Sequence, residues 1–390
     1  MTYDEFKDYV ADNIKNFLNE SYENATVDIK QVVKNNNQEL DGLVIRKEGE
    51  NITPNIYLNG MFDDYEKGKS IDDIMQEIAD LRTGADIGLD EMPFSIEDIR
   101  DVEKIKDRIE CRLVNCEKNA EYLEGKPYTQ VEDLAVIYTV NLGKQGPDNL
   151  MSTTVTDMLL SDWGISKEEL HDIAMENLAD SDIQLKSLRD QMIELLYPDG
   201  APDDHSMDFM LPPEDAGPQM YVLTNSDKHY GAKAVLDTKK MDEIAEKLGG
   251  DYVILPSSVH EVLILPNANE MDRSALEDMV RTVNATEVKP NEVLSDNVYV
   301  YDAQAHEIMR ADHYQERQAS RQMMQAVDMA LGTAVGEEKV AYEAKSDKVE
   351  RKDNHRERVS VKEQIAEKKA VIAKNAAEKA APVRNQKREL

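Results

Sequence analysis

The chain has 390 residues, with 46 Lys and Arg against 79 Asp and Glu, so its formal net charge at pH 7 is −33. Its length favours two or three domains, and a hydrophobic content of 41% is enough to fill their cores. Such acidity argues against nucleic-acid-binding proteins, because phosphate contacts need clustered Lys and Arg. No apolar run approaches the roughly 18 residues of a membrane span. We therefore expect no direct contact with nucleic acid or with a membrane.

Few residues of the sequence indicate the cellular compartment or a metal site. Asp4 and Glu5 stand where a secretion signal would carry basic residues. The two cysteines, Cys111 and Cys116, have neither the count nor the spacing of a disulfide framework or a zinc site. The seven histidines are scattered along the chain and do not converge. We expect a cytoplasmic protein with no metal and no cofactor.

The N-terminal part of the chain predicts a small α+β unit. Thr2 and Glu5 form a capping box, in which the hydroxyl and the carboxylate each accept from a free backbone N–H at the start of a helix. An alternating run at 27–31 and a second run at 40–45, separated by three asparagines at 35–37, predict a hairpin. Pro54 cannot donate a ladder hydrogen bond, so the next extended run is an edge strand or is interrupted there.

The middle of the chain predicts a mixed unit. Residues 96–108 have a helical pattern, and 133–141 form a short apolar run typical of a buried strand. A second capping box, Ser166 with Glu169, begins a helix over 166–178.

The C-terminal folded part predicts alternating strands and helices. They are strand 220–224, helix 239–248, strands 251–256 and 259–265, helix 274–284 and strand 297–301. A third capping box, Ser274 with Glu277, begins the second helix. Two strands in immediate succession favour a mixed or antiparallel sheet with helices on one face.

The predicted fold class is α+β, with small mixed or antiparallel sheets, helices on one face and a charged C-terminal tail. The tail is expected to be helical or disordered, because it is rich in Gln, Lys, Glu and Ala and poor in large apolar residues. The predicted units are 1–90, 95–197, a Pro/Asp-rich linker at 198–219, 220–310 and the tail at 311–390.

One segment combines the residue types of a hydrolase. Ser257, Ser258, His260 and Glu261 supply a nucleophile, a base and an acid. If 259–265 is a strand, His260 and Glu261 point to opposite faces, and an acid cannot orient its base in that way. The alternative interpretation is a turn made by the serine pair, with the histidine and the glutamate at a sheet edge.

A polar loop follows the strand at 220–224. Asn225, Lys228 and Gly231 are its candidate ligand-binding residues. The same residue types also make turns and helix caps, so this composition has a structural interpretation too. Loops carry binding residues disproportionately, so we expect any pocket to lie between this loop and the Ser257–His260 turn.

Several separate segments resemble, in order, the bacterial family known as domain of unknown function 5688. They include IECRLVNCEKN at 109–119, MYVLTN at 220–225, EIAEKLGGDYVILPSSVHEVLILP at 243–266 and LSDNVYVYD at 294–302. The resemblance covers about residues 1 to 310. It implies a bacterial cytoplasmic protein of the kind found in mobile-element neighbourhoods, and it supplies no catalytic residues.

Two functions from different classes remain open. The first is a non-enzymatic binding or accessory protein whose partner is a protein with a basic surface, since strong acidity favours association with cations. The alternative is a hydrolase or a small-ligand-binding enzyme that uses the loops at 225–231 and 257–261.

Overall fold

The computed structural model describes residues 1–50, 53–90, 95–145, 149–197, 219–267 and 272–346. The chain divides into two units, Met1–Ser320 and Arg321–Leu390. The described part of the first unit contains three antiparallel sheets and their helices. This confirms the α+β class. No described helix has the length and apolarity that a bilayer span requires.

Sheet A is formed by the N-terminal part of the chain. Its strands, in spatial order, are β1 (Thr26–Lys34), β2 (Gln38–Arg46) and β3 (Asn55–Tyr57). The predicted hairpin is present, and its turn uses Asn36 and Asn37 at φ of 60° and 50°. Asn tolerates this left-handed conformation better than most residues. Strand β3 begins just after Pro54 and lies at the sheet edge.

Three helices cover sheet A. They are α1 (Tyr3–Asn13), α2 (Leu58–Glu66) and α3 (Ile71–Asp90). The capping box predicted at Thr2 and Glu5 is present at the start of α1. Phe6, Ile45 and Ile78 meet in one buried cluster between helices and sheet.

Sheet B follows in the chain. Its strands are β4 (Ile109–Asn115), β5 (Tyr128–Val131), β6 (Leu134–Gln145) and β7 (Asn149–Thr154), with both β5 and β7 paired to β6. Its helices are α4 (Val102–Ile105), α5 (Asp157–Trp163) and α6 (Lys167–Ala179). The helical pattern over 96–108 is present as short helical segments, because Asp101 is extended and caps a new turn after a 3-10 helix over Ile96–Arg100.

Sheet C is the largest. In spatial order its strands are β13 (Glu307–Arg310), β12 (Tyr299–Asp302), β10 (Tyr252–Leu255), β11 (Val262–Pro266), β9 (Tyr221–Asn225) and β8 (Ile183–Ser187). The associated helices are α7 (Leu188–Leu196), α8 (Thr238–Leu248), α9 (Arg273–Thr286) and α10 (Ala311–Ser346). The predicted linker lies outside the described residues except for Gln219, and so does the tail beyond Ser346.

Two details of the sequence prediction for sheet C are corrected. Strand β11 begins at Val262 rather than at 259, because the preceding residues form a bridge and a bend. Helix α9 is not capped by Ser274. The carboxylate of Asp272 accepts from the backbone N–H groups of Ser274 at 3.0 Å and Ala275 at 3.5 Å.

Sheets B and C share one hydrophobic core. Tyr138 and Trp163 from the sheet B region lie in the same buried cluster as Leu223, Ile254 and Tyr299 from the sheet C region. The predicted segments at 95–197 and 220–310 are therefore packed together. The other face of sheet C is covered by α9 and the first turn of α10, through a second cluster.

A carboxylate joins these two sheets by hydrogen bonds. Asp133, in the turn between β5 and β6, accepts from Asn115 Nδ2 at 3.1 Å, and from Ser295 Oγ and Asn297 Nδ2 at 2.9 Å each. Tyr299 donates its hydroxyl to the same carboxylate. Burial and the Asp133 charge raise the pKa of Tyr299, which keeps this donor protonated.

Replacing this carboxylate should destabilise the whole first unit. We expect Asp133→Ala to lower the free energy of unfolding by about 2–4 kcal/mol, because it leaves several buried donors without an acceptor. Chemical denaturation measures the difference. Asp107→Ala, at an exposed site, is the matched control and should stay within about 0.5 kcal/mol of the parent. Equal effects of the two substitutions would contradict the role of Asp133.

Candidate functional site

The two loops that the sequence singles out contact each other. Thr224 Oγ1 donates to the carbonyl of His260 at 2.8 Å. The backbone N–H of Tyr230 donates to His260 Nδ1 at 3.2 Å, and that of Ala232 donates to the carbonyl of Val259 at 3.3 Å. The 225–231 loop is therefore seated on the turn that precedes β11.

Gly231 allows this close approach. It is buried, and a Cβ at this position would lie 2.6 Å from the carbonyl oxygen of His260 and 2.7 Å from the backbone nitrogen of Asn225. It would also overlap Thr224 Oγ1. The residue is glycine because neighbouring backbone occupies the space of any side chain.

The other candidate ligand residues shape the loop itself. Asn225 clamps it, since its side chain donates to the carbonyl of His229 at 2.9 Å and accepts from the backbone N–H of His229 at 3.2 Å. Lys228 has a left-handed φ of 53°, and its side chain is exposed. Asn225 also lines a small pocket described below.

The candidate catalytic residues do not form a Ser–His–Glu array. Ser258 Oγ accepts from the backbone N–H of His260 at 3.1 Å, while the carbonyl of Ser257 accepts from Leu294. Glu261 accepts from Gln191 Nε2 at 3.2 Å. These contacts hold the turn, as the structural interpretation of the segment expects.

The acid that faces His260 is Glu292. Its Oε1 lies 3.9 Å from His260 Nε2. Because His260 Nδ1 accepts from Tyr230, the neutral ring carries its proton on Nε2, toward this carboxylate. The sequence gives no sign of this partner, since Glu292 is brought here by a bridge between Ser258 and Val293.

One face of sheet B carries a polar layer beneath the 225–231 loop. Glu110 accepts from Asn141 Nδ2 at 2.7 Å and lies 3.3 Å from Lys233 Nζ. With the neighbouring loop residues Asn225, Asp227 and His229, these side chains line a small pocket of about 130 Å³, called here the polar pocket.

Arg112, two residues along β4 from Glu110, occupies the other half of this layer. Its guanidinium carbon lies 3.8 Å from the centre of the Tyr230 ring, a cation–π contact. Its Nη2 donates to Ser152 Oγ at 2.8 Å. Its Nε is buried and has no hydrogen-bond partner among the described residues.

Arg112 and Tyr230 face a larger cavity of about 690 Å³, called here the edge cavity. Its walls are consecutive residues of two strand regions, 53–57 at β3 and 150–153 at β7. Leu81 and Ala85 of α3 form another side. Successive side chains of a strand point to opposite faces of its sheet, so one face would contribute only alternate residues. A strand that contributes consecutive residues therefore turns its edge toward the cavity.

The charges of the edge cavity have the opposite sign to the chain. Among the described residues that line it, the charged ones are Lys34 and Arg112, and no carboxylate is present. Lys34 Nζ lies 4.5 Å from the centre of the Tyr57 ring. Both cations thus rest on aromatic rings rather than on acids. The sequence does not reveal this site, because its residues come from six separate segments of the chain: 34, 53–61, 81–85, 112, 142–153 and 230.

The pattern of a family described as "Family of unknown function (DUF5688)" matches residues 3–303. The chain belongs to this family. No curated protein and no solved structure matches the chain. The match confirms the resemblance found in the sequence and spans all three sheets up to β12.

Gly231 provides a direct test of the loop contact. We expect Gly231→Ala to lower the free energy of unfolding by about 1–3 kcal/mol, because the new methyl group meets backbone atoms that cannot yield freely. Gly60→Ala is the matched control. It lies in α2 with open space around it, so it should be neutral or stabilising by up to about 1 kcal/mol. Thermal and urea denaturation distinguish the two, and a harmless Gly231→Ala would contradict the packing.

His260 provides a test by pH. Burial, opposed by Glu292, lowers its pKa from the ordinary value of 6.5. As the pH falls below that value, the unfolded chain binds a proton that the native state resists, so stability is lost toward acid. His260→Asn keeps an acceptor for the Tyr230 N–H and removes the ring that titrates. We expect the variant to lose less stability than the parent from about pH 7.5 to about pH 5. Urea denaturation measures both losses, and equal losses would contradict the prediction.

Proposed function

We propose that the protein is a non-enzymatic cytoplasmic binding protein, and that the edge cavity binds a small organic acid carrying a carboxylate or phosphate. The observation that carries the proposal is a cavity with two cations and no acid in a chain whose net charge is −33. A binding site for a neutral or cationic ligand has no need of such a local reversal of charge.

The state of Arg112 supports an anionic ligand. Its contacts are a hydroxyl and an aromatic face, neither of which neutralises the charge. Glu110, on the same strand, is by contrast paired with Lys233. A guanidinium forms its strongest hydrogen bonds with carboxylate or phosphate, and its free Nε is the donor that such a group would use.

The size and lining of the cavity support an organic ligand rather than a bare ion. Its volume lies within the roughly 300–1,000 Å³ typical of small-molecule sites. Tyr57, Tyr230, Ile56 and Met61 provide aromatic and apolar surface beside the two cations. A ligand with an acidic group and an apolar body would satisfy both parts.

The second candidate is a small-ligand-binding enzyme that uses the 225–231 and 257–261 loops. The polar pocket favours it, because Asn225 and His229 line that pocket together with Glu110. His260 does not line this pocket, and its neutral ring has no free lone pair, since Nδ1 accepts from Tyr230 and Nε2 carries the proton that faces Glu292. A partner with a basic surface and a role in a mobile-element neighbourhood remain predictions from the net charge and from the resemblance.

Matched acidic and neutral probes test the proposal. We expect benzoate and phenyl phosphate to raise the melting temperature and to bind in calorimetry, with benzamide much weaker. Arg112→Gln should weaken the binding of both acids by at least about tenfold, as expected for a lost charge-assisted hydrogen bond. Lys228→Gln, which removes an exposed cation outside the cavity, should leave binding unchanged.

Two results would contradict the proposal. One is equal binding of benzoate and benzamide by the parent protein. The other is an absence of binding by either acid at millimolar concentration, with Arg112→Gln behaving like the parent.

A further inference from the structure

We propose, resting on the anion-binding role of the edge cavity, that its ligand is the carboxy-terminal end of an extended peptide. The peptide would pair with the outer edge of β7 and place its α-carboxylate at Arg112. This inference names the class of acid that the cavity accepts, and it depends on backbone geometry that a small acid would not use.

The outer edge of β7 presents backbone groups for such pairing. The Val155 N–H donates to the carbonyl of Tyr138 at 2.9 Å, which continues the β6–β7 ladder. In an antiparallel pair, residues alternate between bonding across the pair and pointing away from it. Thr153 therefore bonds toward β6, whereas the backbone N–H and C=O groups of Ser152 and Thr154 point outward.

The Arg112 guanidinium contacts the strand with which the added peptide would pair. Its Nη2 donates to Ser152 Oγ at 2.8 Å, so the guanidinium sits beside one of the two outward-pointing residues. Its buried Nε remains available. A peptide paired at Thr154 and ending near Ser152 would bring its terminal carboxylate to this guanidinium.

The outer edge of β7 also lacks the protection usual for exposed edges. Natural sheets blunt open edges with charged side chains and with proline. The other edge of sheet A follows this rule, because β1 exposes Asp28 and Lys30. Neither 53–57 nor 150–153, which flank the cavity, contains a charged residue. Pro54 blunts the first of these edges, whereas 150–153 has neither a charge nor a proline, so the β7 edge is the one that fits an added strand.

The remaining walls suit the last side chain of such a peptide. Ile56 and Met61 lie on the sheet A side, with Leu81 of α3 behind them. Alternate side chains of an extended peptide point to opposite faces, so one of them would enter this apolar part. The cavity therefore fits a peptide that ends in an apolar residue with a free carboxylate.

A set of synthetic peptides tests the inference on the full chain. The probe is acetyl-TVTVL with a free carboxylate. It is compared with the same peptide amidated, with a form N-methylated at alternate residues, and with N-acetyl-leucine. We expect the amide and the N-methylated form each to bind at least about tenfold more weakly than the free acid. Arg112→Gln should remove the difference between acid and amide.

The outcomes separate this inference from the anion-binding proposal. If N-acetyl-leucine binds as tightly as the free-acid peptide, or N-methylation has no effect, the peptide inference is overturned while acid binding stands. If acid and amide bind equally while benzoate still binds, the carboxy-terminal assignment is overturned. If neither the peptide nor benzoate binds, both proposals fail.

Amide hydrogen exchange gives an independent readout on the folded parent protein. Peptide binding should slow exchange at Ser152 and Thr154 by at least about tenfold, because their N–H groups gain partners. Thr153, which already bonds to β6, is the internal control and should change little. Unchanged exchange at Ser152 and Thr154 in the saturated complex would overturn strand pairing.

Discussion

The arrangement of the first unit depends on the half-buried Asp133 carboxylate between sheets B and C. It collects donors from both sheets, including Tyr299 and Ser295, and so fixes how one sheet lies against the other. The same docking places the 225–231 loop over β4. Tyr230 then reaches the Arg112 guanidinium, and the edge cavity acquires its cation. A structural hydrogen-bond network is in this way the precondition for the candidate binding site.

Charge in this protein is segregated rather than uniform. A cation that is partly removed from water loses hydration, and this costs free energy unless other groups interact with it. At Arg112 and Lys34 aromatic rings supply part of that interaction, and no carboxylate of the cavity lining supplies any. The nearby Glu110–Lys233 pair is already neutralised. An acidic ligand would neutralise the charge of Arg112. The cavity therefore has a physical reason to bind anions, although the rest of the acidic surface repels them.

Local signals predicted local structure well, and the site required long-range contacts. The capping box at Thr2 and the asparagine turn of the first hairpin are determined within a few residues, and both are present. Any pocket was expected between the 225–231 loop and the Ser257–His260 turn, but no residue of that turn lines the polar pocket or the edge cavity. Glu292 could not be predicted, because a bridge between non-adjacent segments brings it to His260. Arg112 could not be assigned either, since its neighbours Tyr230 and Ser152 are distant in sequence and nothing in the strand pattern distinguishes its role.

The side-chain nitrogen of Arg112 gives the most direct test of the central claim, that the edge cavity binds acids through this guanidinium. Nitrogen-15 NMR can follow the Arg112 Nε–H signal, assigned by its loss in Arg112→Gln, during titration with benzoate and then with benzamide. We predict a saturable downfield proton shift with benzoate alone, because the buried Nε–H gains a charged acceptor. A signal that does not move while benzoate binds elsewhere on the protein would contradict the account.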